Sequence, residues 1–139
     1  MMIEPGERQT TFEEQSRRIK HILSRNNQAI FVAEADGKLN GYLSAAGGDF
    51  RRNRNCAHII VGILQAFAGQ GIGTKLFSDS ERWARENGIH RLELTVMAHN
   101  ERAVGLYQKM GYKIEGIKKD SLLVNGSYVD EYYMAKLLA

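Results

Sequence analysis

"CAHIIVGIL" at residues 56–64, followed by "QAFAGQGIGTKLF" at 65–77, decides the fold of this 139-residue chain. The first segment is apolar at nearly every position, which predicts a strand that is covered on both faces in the middle of a sheet. Apolar residues then recur at helical spacing from Ile72 to Ala84, and Asn87-Gly88 is typical of a helix C-terminus. A strand, a glycine-rich loop and a helix therefore follow one another directly.

The loop between this strand and this helix carries glycine at alternate positions, Gly69, Gly71 and Gly73. The start of a helix presents unpaired N–H groups and the positive end of the helix dipole, and both favour a bound phosphate. Glycines remove the Cβ atoms where a pyrophosphate would approach the main chain, and Gln70 and Thr74 can add side-chain donors. The alternative is a glycine-rich turn that only lets the helix pack closely against the sheet.

Two common nucleotide-binding patterns do not fit this loop. No window matches G-x-x-x-x-G-K-[ST], and a dinucleotide fingerprint that began at Gly69 would need glycine at position 74, where the chain has Thr74. The loop therefore favours a different ligand that contains a diphosphate.

The composition is that of one ordinary globular domain over residues 1–139, with 43% hydrophobic and 25% charged residues. The net charge of +3 is too small to require nucleic acid or a membrane as partner, and the basic run at residues 51–54 is typical of a solvated loop. Cys56 is the single cysteine, so no intramolecular disulfide can form, and no segment has the pattern of a signal peptide or a membrane span. We therefore expect a cytoplasmic protein.

Two elements are predicted ahead of the central strand. The capping-box spacing of Thr11 and Glu14 and an apolar face predict a helix over residues 11–25. Two β-rich runs within residues 29–46 flank Asp36-Gly37, a dipeptide typical of a hairpin turn. We expect an antiparallel hairpin there.

The segment after the glycine loop completes the sheet. Residues 89–97 alternate in polarity and predict a strand parallel to the one before the loop, since a helix separates the two. Asn100 can cap a short helix that ends at Gly111, and the remainder indicates a strand at 112–117 and then a hairpin around Asn125-Gly126. The predicted fold class is mixed α/β, with antiparallel flanks and one parallel strand pair joined by a helix.

Two motifs, in this order, resemble the GNAT N-acetyltransferases, which use acetyl-coenzyme A. "AGQGIG" (68–73) is similar to their [QR]-x-x-G-x-[GA] turn, with Ala68 in place of Gln or Arg, and "NERAVGLYQKMGYKIEG" (100–116) is similar to N-x-x-A-x-x-L-Y-x-x-x-G-[FY]. The resemblance covers about residues 10–139, and "SLLVNGSYVDEYYM" (121–134) looks like the subgroup of polyamine and ribosomal-protein N-terminal acetyltransferases. It implies a GNAT-like, mostly antiparallel central sheet. The family normally begins with a strand and a helix for which only about ten residues remain, so we expect both to be absent.

The resemblance also implies functional residues. Main-chain groups of the central strand would hold the pantetheine and the acetyl carbonyl, and Tyr107 would protonate the departing thiolate. A phenol with an ordinary pKa of about 10 suits that role, although a tyrosine in an apolar stripe is otherwise a core residue. Asn100 could contact the cofactor, cap its helix, or do both. The cofactor-binding residues implied in full are Ile63, Leu64, Gly69, Gln70, Gly71, Ile72, Gly73, Thr74 and Asn100.

The general base is left open among His58, Glu34, Glu131 and a chain of waters. The reaction needs no metal, and the four histidines lack the i, i+4 spacing of a metal-binding helix. Cys56 has no activating partner in the sequence, so we expect direct attack without a covalent acyl-enzyme.

The expected function is acetyl transfer from acetyl-coenzyme A to a primary amine of a small molecule or a protein N-terminus. The main alternative is a coenzyme A-binding module without turnover, suggested by Ala68 and the short N-terminal segment; a nucleic-acid binder that uses residues 51–54 ranks last. Several aromatic residues could line an acceptor pocket or a homodimer face, although such residues are usually core: Trp83, Tyr128, Tyr132 and Tyr133.

Overall fold

The computed structural model describes Arg17, residues 25–64, Gly69 and residues 71–138. The helix predicted over residues 11–25 lies almost wholly outside this part of the chain, and so do Ala68 and Gln70. In chain order the elements are β1 (Gln28–Ala35), β2 (Lys38–Gly47), β3 (Cys56–Ile63), α1 (Ile72–Glu86), β4 (Arg91–Met97), α2 (Glu101–Lys109), β5 (Lys113–Val124) and β6 (Ser127–Leu137).

The strands form one six-stranded sheet in the order β1-β2-β3-β4-β6-β5. Within the described residues, β3 and β4 are the parallel pair and the other neighbours are antiparallel. Helix α1 makes the crossover between β3 and β4, because parallel strands need a connection of this length. The predicted fold class is confirmed.

Both helices pack against one face of the sheet, which we call the helix face; the opposite one is the far face. Alternate strand residues meet the helices there and form the core, as the alternation in β4 predicts. Full burial of a large apolar side chain contributes about 1.5–3 kcal/mol, so this layer is the main source of stability. Its largest fully buried apolar side chains are Leu43, Leu76, Phe77, Leu92 and Met134. Neither described helix combines the length and the apolarity that a bilayer crossing demands.

The first hairpin turns where the sequence predicts. Asp36 and Gly37 have φ values of 52° and 77°, which is the left-handed region that a two-residue type I′ turn requires at both positions. The pair Ala35↔Lys38 closes the hairpin directly beside them. The antiparallel β1–β2 hairpin is therefore confirmed.

The C-terminal hairpin differs from the prediction, because the two strand segments predicted before the turn form the single strand β5. Its pairing with β6 shifts register between Lys118 and Leu122. Asp120, inside this bulge, has a φ of 49°, and its amide donates to Asp130 Oδ1 at 2.8 Å. The predicted break was wrong because the bulge absorbs the polar residues and satisfies a donor that the ladder leaves unpaired. The turn at Asn125-Gly126 is confirmed.

Strand β3 lies in the interior of the sheet, as predicted, but it is not covered on both faces. Ala57 and Ile59 are buried on the helix face, whereas His58 is exposed and Ile60 is 53% exposed on the far face. An apolar run indicates a strand buried on both faces only if other elements cover both. That part of the prediction was wrong, and it leaves apolar side chains of β3 accessible on the far face.

Candidate active site

Strands β3 and β4 pair only near their beginnings. The parallel ladder ends at His58↔Glu93, although β3 continues to Ile63 and β4 to Met97. Beyond that pair, the described residues of β3 do not pair with those of β4. The two strands separate toward their C-terminal ends, and we call the gap between them the fork. Main-chain groups left unpaired inside a sheet need a partner, and an extended ligand can supply one.

The amide of Ile63 points into the fork. The Leu64 amide donates to the Asn40 carbonyl at 2.9 Å, on the β2 side, and successive amides of a strand point to opposite edges. The amides of Ile59, Val61 and Ile63 therefore point toward β4. Of the two strand residues that the resemblance implies, Ile63 can offer its N–H to a ligand, whereas the N–H of Leu64 is already hydrogen-bonded within the sheet.

The open end of the fork lies beside the start of α1. Ile63 Cδ1 is 3.3 Å from the place that a Cβ on Gly73 would take. Gly71 is the N-cap residue of α1, no side chain among the described residues caps the helix, and its first turn contains no acidic residue. The Lys75 amide donates to the Gly71 carbonyl, so the amides of residues 72–74 precede the first helical hydrogen bond and lack a partner within the helix. This arrangement suits an anionic group.

The glycines of the loop serve different purposes. Gly69 and Gly71 both have φ of 81°, a conformation that glycine adopts without the cost that other residues pay. A Cβ on Gly71 would meet no described atom within 4 Å, so the space beside it is open. Gly73 is buried, and a Cβ on it would lie 2.6 Å from Leu106 Cδ2. The close-packing alternative thus describes Gly73, while Gly69 and Gly71 have the geometry that the phosphate hypothesis requires.

Helix α2 carries two residues that the resemblance implies. Asn100 is its N-cap residue, and its Oδ1 accepts a hydrogen bond from the Ala103 amide at 3.2 Å. Tyr107 is 8% exposed, with its ring 5.3 Å from that of Phe77. Burial raises the pKa of Tyr107, so its phenol keeps its proton at neutral and moderately alkaline pH. Tyr107 is therefore a core residue, and its role as a proton donor stays a prediction.

The three candidate bases lie at different places in the sheet. Glu34 is exposed on β1, and β2 separates it from β3. His58 is exposed at the closed end of the fork. Glu131 is 9% exposed on β6, where its Oε1 accepts a hydrogen bond from the Ser121 hydroxyl at 2.9 Å.

Glu131 is the candidate that lies level with the open part of the fork. Gly62 and Met97 lie equally far past the last β3–β4 pair, and Met97 pairs with Glu131 across β4 and β6. His58 lies about 13 Å back along β3 from Gly62, at about 3.3 Å per residue. A water between Glu131 and the fork would bring its carboxylate into proton-transfer reach.

Cys56 lies at the closed end of the fork, where β3 begins. Burial raises the pKa of its thiol, and the Glu93 carboxylate raises it further. The thiolate is the nucleophilic form of cysteine, so both its place and its protonation disfavour a covalent intermediate on Cys56.

The other features singled out in the sequence lie apart from the fork. Residues 51–54 are exposed in the turn between β2 and β3, at the opposite end of the sheet, where Arg51 and Arg54 border a cavity of about 520 Å³. The Trp83 ring packs 6.2 Å from that of Phe31, while Tyr128 and Tyr133 are exposed. The described residues include no group of three or more His, Cys, Asp or Glu side chains placed to hold a metal ion.

The chain belongs to the acetyltransferase (GNAT) family, whose family model matches residues 2–112. It is 33% identical over 110 residues to the L-amino acid N-acetyltransferase of Escherichia coli, a match that covers 76% of this chain and 66% of that protein. It is 47% identical over 95 residues to an uncharacterized N-acetyltransferase of Bacillus subtilis, covering 68% of this chain and 60% of that one. The chain thus spans less than two thirds of the length of either relative.

Solved structures of the family share the fold. An acetyltransferase of the GNAT family from Streptococcus pneumoniae matches with a TM-score of 0.89 and 32% identity, over 92% of this chain and 77% of that one. A GNAT superfamily phosphinothricin acetyltransferase from Sinorhizobium meliloti, solved with acetyl-coenzyme A, matches with a TM-score of 0.84 over 94% of this chain and 71% of that one. At 20% identity, the second likeness is one of fold alone. The family that the two sequence motifs indicate is confirmed.

Proposed function

We propose that the protein is an N-acetyltransferase that transfers an acetyl group from acetyl-coenzyme A to a primary amine by direct attack. The observation that carries this proposal is that the fork and the uncapped start of α1 lie at the same end of the sheet. An extended pantetheine chain can pair with the fork while its diphosphate reaches the free amides of α1. Membership of the acetyltransferase family supports the same assignment.

The proposed cofactor site has three parts. The Ile63 amide would hold the pantetheine or the acetyl carbonyl in the fork. The amides of residues 72–74 would bind the diphosphate, with Gly71 keeping the approach open and Gly69 leaving room for the Arg102 side chain. Asn100 would border the site from the start of α2. The remaining members of the proposed set, Leu64 and Gln70, are supported by the family resemblance alone.

In the proposed reaction a neutral amine attacks the thioester carbonyl carbon from the far face. The C–S bond breaks as the tetrahedral intermediate collapses, and Tyr107 gives its proton to the leaving thiolate. The proton that the amine loses passes through a water to the Glu131 carboxylate and then returns through solvent to the phenolate. The products are the N-acetylated amine and coenzyme A, and most of the rate gain comes from holding the two reactants together.

The function is tested by release of free thiol from acetyl-coenzyme A. The protein is incubated with L-amino acids, polyamines, aminoglycosides and peptides with free N-termini, and each rate is compared with the rate without acceptor. We expect at least one primary amine to accelerate thiol release and to gain the mass of an acetyl group. If coenzyme A binds and no amine is acetylated, the protein is instead a coenzyme A-binding module.

We expect Glu131→Gln to lower kcat about 100-fold, because the amine proton loses its acceptor. Ser121→Ala is the matched control, since it removes the hydrogen bond that Glu131 accepts while leaving the carboxylate in place. His58→Gln is expected to change kcat little, because His58 lies at the closed end of the fork. Steady-state kinetics with saturating acetyl-coenzyme A checks this; a larger loss in His58→Gln than in Glu131→Gln would move the base to His58.

A cytoplasmic location and a homodimer complete the proposal. The single cysteine is compatible with a reducing compartment. Exposed apolar side chains on β5 and β6, among them Leu123, Tyr128 and Leu137, could form a contact between copies. Light scattering during gel filtration measures the number of copies directly.

A further inference from the structure

Arg102, in the first turn of α2, lies against the glycine loop that precedes α1. Its Nη2 is 2.7 Å from the place that a Cβ on Gly69 would take. A side chain at position 69 would therefore displace the guanidinium, and the contact depends on glycine there. A cation from one helix thus reaches the loop that leads into the other.

The guanidinium of Arg102 has no carboxylate partner in the part of the chain that the structure describes. Other cations of the two-helix layer do form ion pairs there, such as Lys75 with Asp79 and Arg85 with Glu81. The first turn of α1 likewise contains no acidic residue. The positive charge beside the loop is therefore not neutralised by described protein groups.

The residue that the guanidinium contacts lies close in the chain to the free amides of α1. Gly69, which Arg102 touches, is two residues before Gly71, so their Cα atoms are at most about 7 Å apart. The amides of residues 72–74 follow immediately and lack partners within the helix. A group held between these two sets of donors must be anionic and small enough to contact both.

We propose that Arg102 binds the diphosphate of coenzyme A, opposite the amides of α1, so that both helices contribute to phosphate binding. This inference rests on the proposed binding of acetyl-coenzyme A. The parallel N–H groups of a guanidinium match two phosphate oxygens, a geometry that lysine cannot reproduce. The contact with Gly69, directly ahead of α1, assigns Arg102 to the diphosphate and not to the 3′-phosphate at the far end of the molecule.

The test compares Arg102→Gln with three ligands in calorimetric or NMR titrations: coenzyme A, 3′-dephospho-coenzyme A and pantetheine. We expect Arg102→Gln to weaken coenzyme A and 3′-dephospho-coenzyme A alike, by about 10- to 100-fold, as for other hydrogen bonds to charged groups. Pantetheine, which lacks the diphosphate, should bind wild type and variant equally. Arg102→Lys should recover only part of the affinity.

Lys109→Gln is the matched control, because it removes the same charge from the same face of α2, about 10 Å away along the helix axis. It should leave all three affinities unchanged. Equal binding of coenzyme A by wild type and Arg102→Gln would overturn the inference. So would an Arg102→Gln variant that binds coenzyme A more weakly than wild type but binds 3′-dephospho-coenzyme A equally well. If Arg102→Gln weakens the binding of pantetheine as much as that of coenzyme A, Arg102 only positions the loop, and this result also overturns the inference. Failure of the folded wild type to bind coenzyme A would instead overturn the proposed function, and the inference with it.

Discussion

Tyr107→Phe is expected to lower kcat about 100-fold or more while acetyl-coenzyme A still binds with its wild-type affinity. The substitution deletes only the hydroxyl, and the phenylalanine ring can keep the contact with Phe77, whose ring centre lies 5.3 Å away. The departing thiolate then loses its proton donor, whereas the contacts proposed for the diphosphate and the pantetheine are unchanged. Single-turnover rates with saturating acetyl-coenzyme A separate the chemical step from binding.

Tyr112→Phe is the control that the structure offers for this experiment. Tyr112 belongs to the same aromatic cluster, with its ring 5.5 Å from that of Phe77, and it is 3% exposed. Its buried hydroxyl has no hydrogen-bond partner among the described residues, so deleting it removes an unsatisfied polar atom and should preserve or raise stability. Activity should remain at the wild-type level. Equal losses of kcat in the two variants would show that the cluster matters for packing alone.

The pH dependence of Tyr107→Phe follows from the direction of the pKa shift. Burial raises the pKa of Tyr107 above its ordinary value of 10.0, and a raised pKa means that the phenol is protonated at every pH below that value. The loss caused by Tyr107→Phe should therefore be constant from about pH 7 to pH 9. A loss that disappears as the pH rises within this window would assign the proton donor to another group.

The parts of the fold that depend on local chemistry could be predicted from the sequence. Asp36-Gly37 fixes its hairpin because both residues accept a left-handed φ, and the alternation in β4 gives its buried face. The bulge in β5 could not be predicted, because it is stabilised by Asp130, a side chain on the neighbouring strand. The fork could not be predicted for the same reason, because the pairing of β3 with β4 depends on residues that are far apart in the sequence.

The residues of the candidate site likewise fall into those that the sequence could predict and those that it could not. Motif spacing predicted roles for Asn100 and Tyr107, and the structure places Asn100 at the N-cap of α2 and Tyr107 in the core. The sequence did not reveal that Gly73 makes room for Leu106, nor that Arg102 lies against Gly69. Each of these contacts joins residues of different elements, so the pattern of apolar residues within one helix or strand cannot predict it. An arginine two residues after a helix cap, in a chain with a glycine loop, is the signal that could have pointed to Arg102.

Ile63→Pro is expected to reduce kcat about 100- to 1000-fold, which is the effect of removing one hydrogen-bond donor from an oxyanion hole. Proline has no N–H, and the amide of Ile63 is the one that points into the fork beside α1. Because that amide faces away from the ladder with β2, its loss removes no hydrogen bond of the sheet, and proline is tolerated in strands at such edges. Circular dichroism and the unfolding temperature check that the variant is folded.

Ile63→Ala separates the main chain from the side chain. The Ile63 side chain packs toward Gly41 and Gly73, so both variants lose that packing and some stability, but only the proline variant loses the N–H. If the proposed role is right, Ile63→Ala keeps most of its activity and Ile63→Pro does not. If the two variants are equally active, the fork contributes no hydrogen bond at this position, and the binding of an extended chain between β3 and β4 loses its main support. The comparison therefore tests the geometric feature on which the assignment of the fork as the acyl-transfer site depends.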